Sequence, residues 1–259
     1  MDPLLRGHRH RFSRIRLNFD LIALYIIIFI HGINIMTIPC IIHHIWMGTN
    51  PIPKTNTLCA NSVKEHHANF EYKLWKDQDV DTLMRTEFPE YYEKFNELPR
   101  LIMKIDIFRY FLMYKYGGLY TDMDYFMFKP FDLLQYNVVI PCNRETDSGE
   151  PECLGNCIFA SKPNHPFWKS LMNSLFTIDR RKLDYTNDKN IDGSLMGTGP
   201  VFVYGMWKNY AKLNSDIYIP KRKLFHPITK INNDYINGLK TQGCYGIHYC
   251  TGLWRNQQL

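Results

Sequence analysis

Asp106-Ile107-Phe108-Arg109-Tyr110, followed by Tyr116-Gly117-Gly118-Leu119-Tyr120-Thr121-Asp122-Met123-Asp124, holds in one short span a helix, its stop, a strand and a pair of carboxylates. Leu101, Ile102, Ile105, Phe108, Leu112 and Met113 recur at helical spacing, which predicts a helix over 100–116, opened by Pro99 and closed by Gly117-Gly118. Leu119-Tyr120-Thr121 then reads as a short strand that ends in Asp122-Met123-Asp124. The two carboxylates therefore sit at a strand terminus.

Outward from this span the chain alternates strands and helices. The β-branched run 38–46 (IPCIIHHIW) reads as a buried first strand, followed by the turn-rich 48–53. A helix over 56–70, a strand over 71–76 and one or two helices over 80–95, interrupted at Pro89, complete the N-terminal part. Further strands are expected at 137–141, 157–161, 216–220 and 245–249, and helices at 166–178 and 199–213. Neither a repeat nor a low-complexity linker breaks the stretch 37–259, so the pattern predicts one α/β domain there.

The chain has 259 residues, 45% hydrophobic, 22% charged and 15% aromatic, which excludes a disordered or collagenous protein. Its net charge is +6, of which +4 sits in the first sixteen residues, where Arg6, Arg9, Arg11, Arg14 and Arg16 face only Asp2. An almost neutral body lacks the basic stripe that binding a phosphate backbone needs, which argues against a nucleic-acid partner. The basic tail runs into the apolar 21–36. Residues 1–36 read as a basic tail plus signal-anchor helix, with the tail cytoplasmic and the body across the membrane, a single-pass type II arrangement of Golgi or ER kind. The alternative is a buried or partner-facing helix in a soluble cytoplasmic protein, since almost nothing separates Met36 from the first strand where a stem is expected. No small-x-small cleavage site follows the apolar run, against a cleaved signal peptide. The seven cysteines form no CxxC pair and signal no zinc site; disulfides among Cys142, Cys153 and Cys157, or between Cys244 and Cys250, compete with buried free thiols.

Two carboxylates around a turn can share one hard cation, magnesium or manganese, whose remaining positions suit the oxygens of a diphosphate. Alone, Asp122-x-Asp124 reads more readily as a solvated turn. Asp106 and Arg109 add context, because they share one face of an otherwise apolar helix. They form either an ion pair that supports the helix or a pair of groups that hold sugar hydroxyls and phosphate.

With these motifs in order, the chain resembles the DXD-containing sugar-transferase family. That family includes outer-chain α-1,6-mannosyltransferases, inositol-phosphoceramide mannosyltransferases, α-1,4-galactosyl- and N-acetylglucosaminyltransferases and, more distantly, large glucosylating toxins. Ile38-Pro39-x-Ile41-Ile42-His43-x-Ile45-Trp46 is similar to its first strand, Tyr72-x-Leu74-Trp75-x-Asp77 to its second, and His248 to Trp254 to its closing element. The resemblance implies a GT-A type nucleotide-diphospho-sugar transferase fold, a single domain with a mixed central sheet flanked by helices. It implies Asp124 as direct metal ligand, and Asp122 as a contact to the ribose or to the metal through water. His248 would complete the metal shell. Asp106 and Arg109 would hold donor sugar hydroxyls and ribose, and Trp46 would lie near the nucleobase unless it is a core residue. Trp254 would close over the donor, Thr198 and Gly199 would lie near it, and Asn156 would line the acceptor side. The implied cofactor is Mn2+ or Mg2+.

The function expected is a metal-dependent glycosyltransferase, retaining by the resemblance, that moves a hexose from a UDP- or GDP-sugar to a glycan or glycolipid acceptor. A haloacid-dehalogenase-type phosphatase also carries Asp-x-Asp after a strand, but its motif continues into Thr or Val, whereas Tyr125 follows here, and it opens its domain. A non-catalytic sugar-nucleotide or glycan-binding protein is the remaining alternative, and the intact acidic pair argues against it.

Overall fold

The computed structural model describes residues 37–133, 135–174, 197–226 and 243–253. The apolar run 21–36, the Asp192-Gly193-Ser194 segment and Trp254 lie outside them. In chain order the elements are β1 (Ile41–Ile45), α1 (Lys54–His66), β2 (Glu71–Trp75), α2 (Asp77–Glu87), α3 (Pro89–Asn96), α4 (Leu101–Lys115), β3 (Gly118–Thr121) and β4 (Tyr125–Met127). Then follow β5 (Val138–Val139), β6 (Cys142–Glu145), β7 (Pro151–Leu154), β8 (Ile158–Ser161), α5 (Pro166–Ser174), α6 (Pro200–Tyr210), β9 (Ile217–Tyr218), α7 (Arg222–Phe225) and β10 (Gly246–His248).

The main sheet runs β2-β1-β3-β8-β5-β9. β1 pairs parallel with β2 and β3, β8 lies antiparallel between β3 and β5, and β9 is parallel to β5. This is the mixed central sheet flanked by helices that the resemblance implies. From β1 the chain goes to β2 on one side and then to β3 on the other, so the strand order reverses between β1 and β3. The crevice beyond the carboxyl ends of such strands is where open α/β sheets bind ligands, and here it is bordered by Trp46 and Asp122.

α4 is apolar almost all round because it is buried on nearly all sides, against α5, β1, β3 and β8. Within it only Asp106 and Arg109 are charged and buried. Its end is set by Gly117, at φ +64, whose N–H donates to Met113 O. Two buried histidines of β1 staple the turn and the sheet. His43 Nδ1 accepts from the Trp75 indole, so its Nε2–H donates to Gly117 O at 3.0 Å. His44 Nε2 bonds Thr121 Oγ1 at 2.6 Å. Burial pushes both imidazoles down to about 3, which keeps them neutral.

A Cβ at Gly117 would lie 2.4 Å from Ser161 O and 2.7 Å from Pro163 N, both backbone atoms. Left-handed strain of about 1–2 kcal/mol adds to overpacking of about 1–3 kcal/mol. Gly117→Ala is therefore expected to destabilise the protein by about 3 kcal/mol; a thermal melt within 1 °C of wild type, roughly the shift that a few tenths of a kcal/mol would give, would contradict this.

The elements differ from the sequence expectation at several points. α1 stops at His66 rather than reaching residue 70, because His67–Phe70 form the turn into β2, with Phe70 N–H donating to His67 O. α2 begins three residues before the expected 80, where Asp79 reaches back to the Lys76 N–H. The β6–β7 hairpin and α7 were not expected at all. The hairpin is short and mostly polar at its tip, and its register shifts between Cys142 and Glu145, which removes the alternation that marks a strand. All seven cysteines are free thiols, five of them buried, and the disulfide alternative is not realised.

Candidate active site

A cleft of about 300 Å³ opens beyond β1 and β3. Trp46, Asp106, Arg109, Asp122, Asp124, Asn156 and His248 all line it. Asp122 leaves the end of β3, its N–H donating to Cys157 O at 2.7 Å and its carbonyl accepting from Tyr125 N–H at 3.0 Å. That tight turn delivers Asp124 immediately before β4. β4 pairs antiparallel with β10, so that His248 lies opposite Tyr125 and its side chain reaches Asp124. Two segments far apart in sequence thus meet over one corner.

In that corner His248 Nε2 lies 2.8 Å from Asp124 Oδ1 and 3.6 Å from Asp122 Oδ2. One ligating atom from each of Asp122, Asp124 and His248 falls within 4.8 Å of the others. Adjacent ligands of an octahedral ion at 2.0–2.1 Å stand about 3 Å apart, so the spacing fits one divalent cation. The donor set, two carboxylates and an imidazole, also fits. Thr251 donates to Asp124 Oδ2 from both N–H and Oγ1, each at 2.8 Å. Burial pushes the Asp124 carboxyl up, but His248 and Thr251 outweigh it and bring it down to about 2.

Behind the corner lies a buried polar network. Asp106 Oδ1 accepts from Arg109 Nη2 at 3.0 Å and from Asn156 Nδ2 at 2.9 Å, and its Oδ2 accepts from Thr198 Oγ1 at 2.9 Å. Burial pushes Asp106 up to about 6 against these partners, which leaves it ionised at pH 7. Arg109 Nη1 donates to Asn156 O and lies 3.4 Å from Asp122 Oδ1. Burial opposes the guanidinium charge, but Asp122, Tyr120 and Asp106 more than restore it, so its proton is held more tightly than usual. The guanidinium also lies 5.0 Å from the centre of the Tyr120 ring, and Tyr120 OH donates to Asp122 Oδ1.

The structure thus brings Asp106, Arg109, Asp122, Asp124 and His248 together, with Trp46 on the same cleft. The Trp46 N–H donates to Asn50 O at 2.8 Å, which satisfies the indole edge within its own loop. Thr198 and Gly199 do not line the cleft; Thr198 is buried behind Asp106, and Gly199 caps α6, whose Pro200 does line it. Asn156 is a strut for Asp106 and Arg109 as well as a wall of the cleft. Tyr120, Thr251 and Cys250 were not singled out from the sequence. Tyr120 and Thr251 lay inside the quoted motifs, but nothing in residue type or spacing marked which carboxylate oxygen each would hold.

Residues 53–143 match the family model of the glycosyltransferase sugar-binding region containing the DXD motif. The chain belongs to this family of DXD-containing glycosyltransferases. It is 30% identical over 177 residues to inositol phosphoceramide mannosyltransferase 3 of Schizosaccharomyces pombe, covering 68% of this chain and 46% of that protein. To mannosyl phosphorylinositol ceramide synthase CSH1 of Saccharomyces cerevisiae it is 31% identical over 175 residues, 68% of this chain and 44% of the relative. The uncharacterized glycosyltransferase L373 of Acanthamoeba polyphaga mimivirus is 25% identical over 222 residues, 84% of each chain. The chain spans about half the length of the two yeast relatives. Within the DXD family the motif is Asp122-Met123-Asp124 here, in the matched region.

Proposed function

We propose that this DXD glycosyltransferase transfers a hexose from a UDP- or GDP-sugar to a glycan or glycolipid acceptor, with a divalent cation and with retention at the anomeric carbon. The observation that carries the reading is the convergence of Asp122, Asp124 and His248 on one wall of the cleft, next to the Arg109 guanidinium. These three side chains would hold the ion, and imidazole among the donors favours manganese over magnesium. When bound, the ion neutralises the diphosphate and so stabilises its departure.

The remaining work falls to the chain's own residues. Arg109, fixed by Asp106 and Asn156, keeps its charge beside the place where negative charge develops on the leaving group. Trp46, half-buried on the cleft wall, takes the nucleobase. Asp106 holds Arg109 with oxygens that are already engaged, and Thr198 acts on the donor only through Asp106. A diphosphate oxygen takes the acceptor's proton, so no separate general base is required. The relatives named for mannosylating inositol phosphoceramide favour mannose as the sugar and a glycolipid as the acceptor.

A panel of nucleotide sugars tested for hydrolysis decides the reading. Release of nucleoside diphosphate with Mn2+, abolished by EDTA and restored by added Mn2+, is the expected result; hydrolysis undiminished by EDTA would overturn it. We also read residues 1–36 as a cytoplasmic basic tail with a type II membrane anchor ahead of a catalytic domain at 37–259. Among the described residues no helix is long and apolar enough to cross a membrane, so the reading rests on the apolar run 21–36. Release of the full chain from membranes by salt alone would contradict it.

A further inference from the structure

Both ring nitrogens of His248 have neighbours. Nε2 faces the two carboxylates, whereas Nδ1 points away from them and lies 3.2 Å from Cys250 Sγ. An imidazole that gives one lone pair to a cation carries its proton on the other nitrogen. The partner of that second N–H fixes the tautomer and the rotation of the ring, and it is ordinarily a carboxylate, a carbonyl or water. Here the neighbour is a sulfur atom.

The backbone is arranged to put it there. Cys250 has φ +49, in the left-handed region that residues with a Cβ rarely enter. This turn directs Sγ back to His248 and sends the next residue, Thr251, onto Asp124 Oδ2. The thiol is not there to fill a core, because Cys250 is exposed at the cleft wall. The second thiol that borders the His248 ring, Cys157, is buried, and its sulfur also faces the His226 ring nitrogens at 3.7 and 3.9 Å.

We propose that Cys250 is a positioning residue of the metal corner: its sulfur accepts the Nδ1–H of His248 and holds the ring so that Nε2 meets Asp122 and Asp124. This rests on the reading of His248 as a metal ligand. It makes a residue outside the Asp-x-Asp motif a determinant of metal affinity. The sulfur touches neither ion nor donor, and acts through the histidine.

The test is Mn2+ binding to the full chain without donor, with free Mn2+ counted by electron paramagnetic resonance. Cys250→Ala is expected to raise the dissociation constant about tenfold, the lower end of what losing such a partner costs. Cys250→Ser, whose hydroxyl can accept the same N–H, is expected to stay within about threefold of wild type, well short of that loss. A Cys250→Ala affinity within twofold of wild type would overturn the proposal. So would Cys250→Ser binding as weakly as Cys250→Ala, because an acceptor would then not be what matters. A wild-type protein that binds no Mn2+ at millimolar concentration would bring down the metal reading itself and this inference with it.

Discussion

Asp124→Asn is expected to lower Mn2+-dependent sugar-nucleotide hydrolysis about a thousandfold at saturating donor. Removing one anionic ligand takes away several kcal/mol of charge stabilisation on the leaving group, and about 4 kcal/mol corresponds to three powers of ten in rate. The amide retains one oxygen and nearly the same volume, so the Thr251 N–H and hydroxyl keep an acceptor where Oδ2 stood. The fold should therefore survive, and a melting curve close to wild type would separate a lost ligand from a lost structure. The companion Asp122→Asn should cost less, because Tyr120 and Arg109 hold the Oδ1 position from the other side and the side chain is more exposed than that of Asp124. Full activity of Asp124→Asn with unchanged dependence on Mn2+ would show that the ion, if one acts, sits elsewhere.

The Asp-x-Asp corner was legible in the sequence because local rules determine it. Apolar spacing makes α4, the two glycines stop it, and a short buried strand must then end where the aspartates begin. His248 was legible only through the resemblance, since its place depends on β4 pairing with β10 across more than a hundred residues. No periodicity reports such a pairing. Thr198 shows the opposite limit: the resemblance put it near the donor, but its hydroxyl donates to Asp106 inside the protein. The Asp106–Arg109 spacing left two readings open, an ion pair or a ligand clamp. The structure shows the pair made and buried, with Arg109 also facing Asp122, so the one arrangement accommodates both. The hairpin β6–β7 escaped because its polar tip and shifted register carry no strand pattern. It still matters to the site, as Asn143 lines the cleft.

Arg109→Met is expected to have the largest effect on stability of any single change in the site. Only 2% of the arginine side chain and 5% of the Asp106 side chain reach solvent, so removing the cation leaves a buried carboxylate uncompensated, with Asp122 at its side. Breaking a buried pair from one side costs about 3–5 kcal/mol, which lowers the melting temperature on the order of 10 °C in a chain of this size. Lost activity in that variant would say little about chemistry. The informative protein is Asp106→Asn with Arg109→Met, in which both buried charges go and the amide can still serve Thr198 and Asn156. Its stability should recover to within about 1–2 kcal/mol of wild type, since a buried pair contributes little net stability once both charges are removed. Its transfer rate should stay at least about a hundredfold down, the effect of losing one preorganised group at the developing charge. If the double variant were both stable and fully active, the pair would be a device of the helix alone, and Arg109 would have no part in stabilising the departing diphosphate.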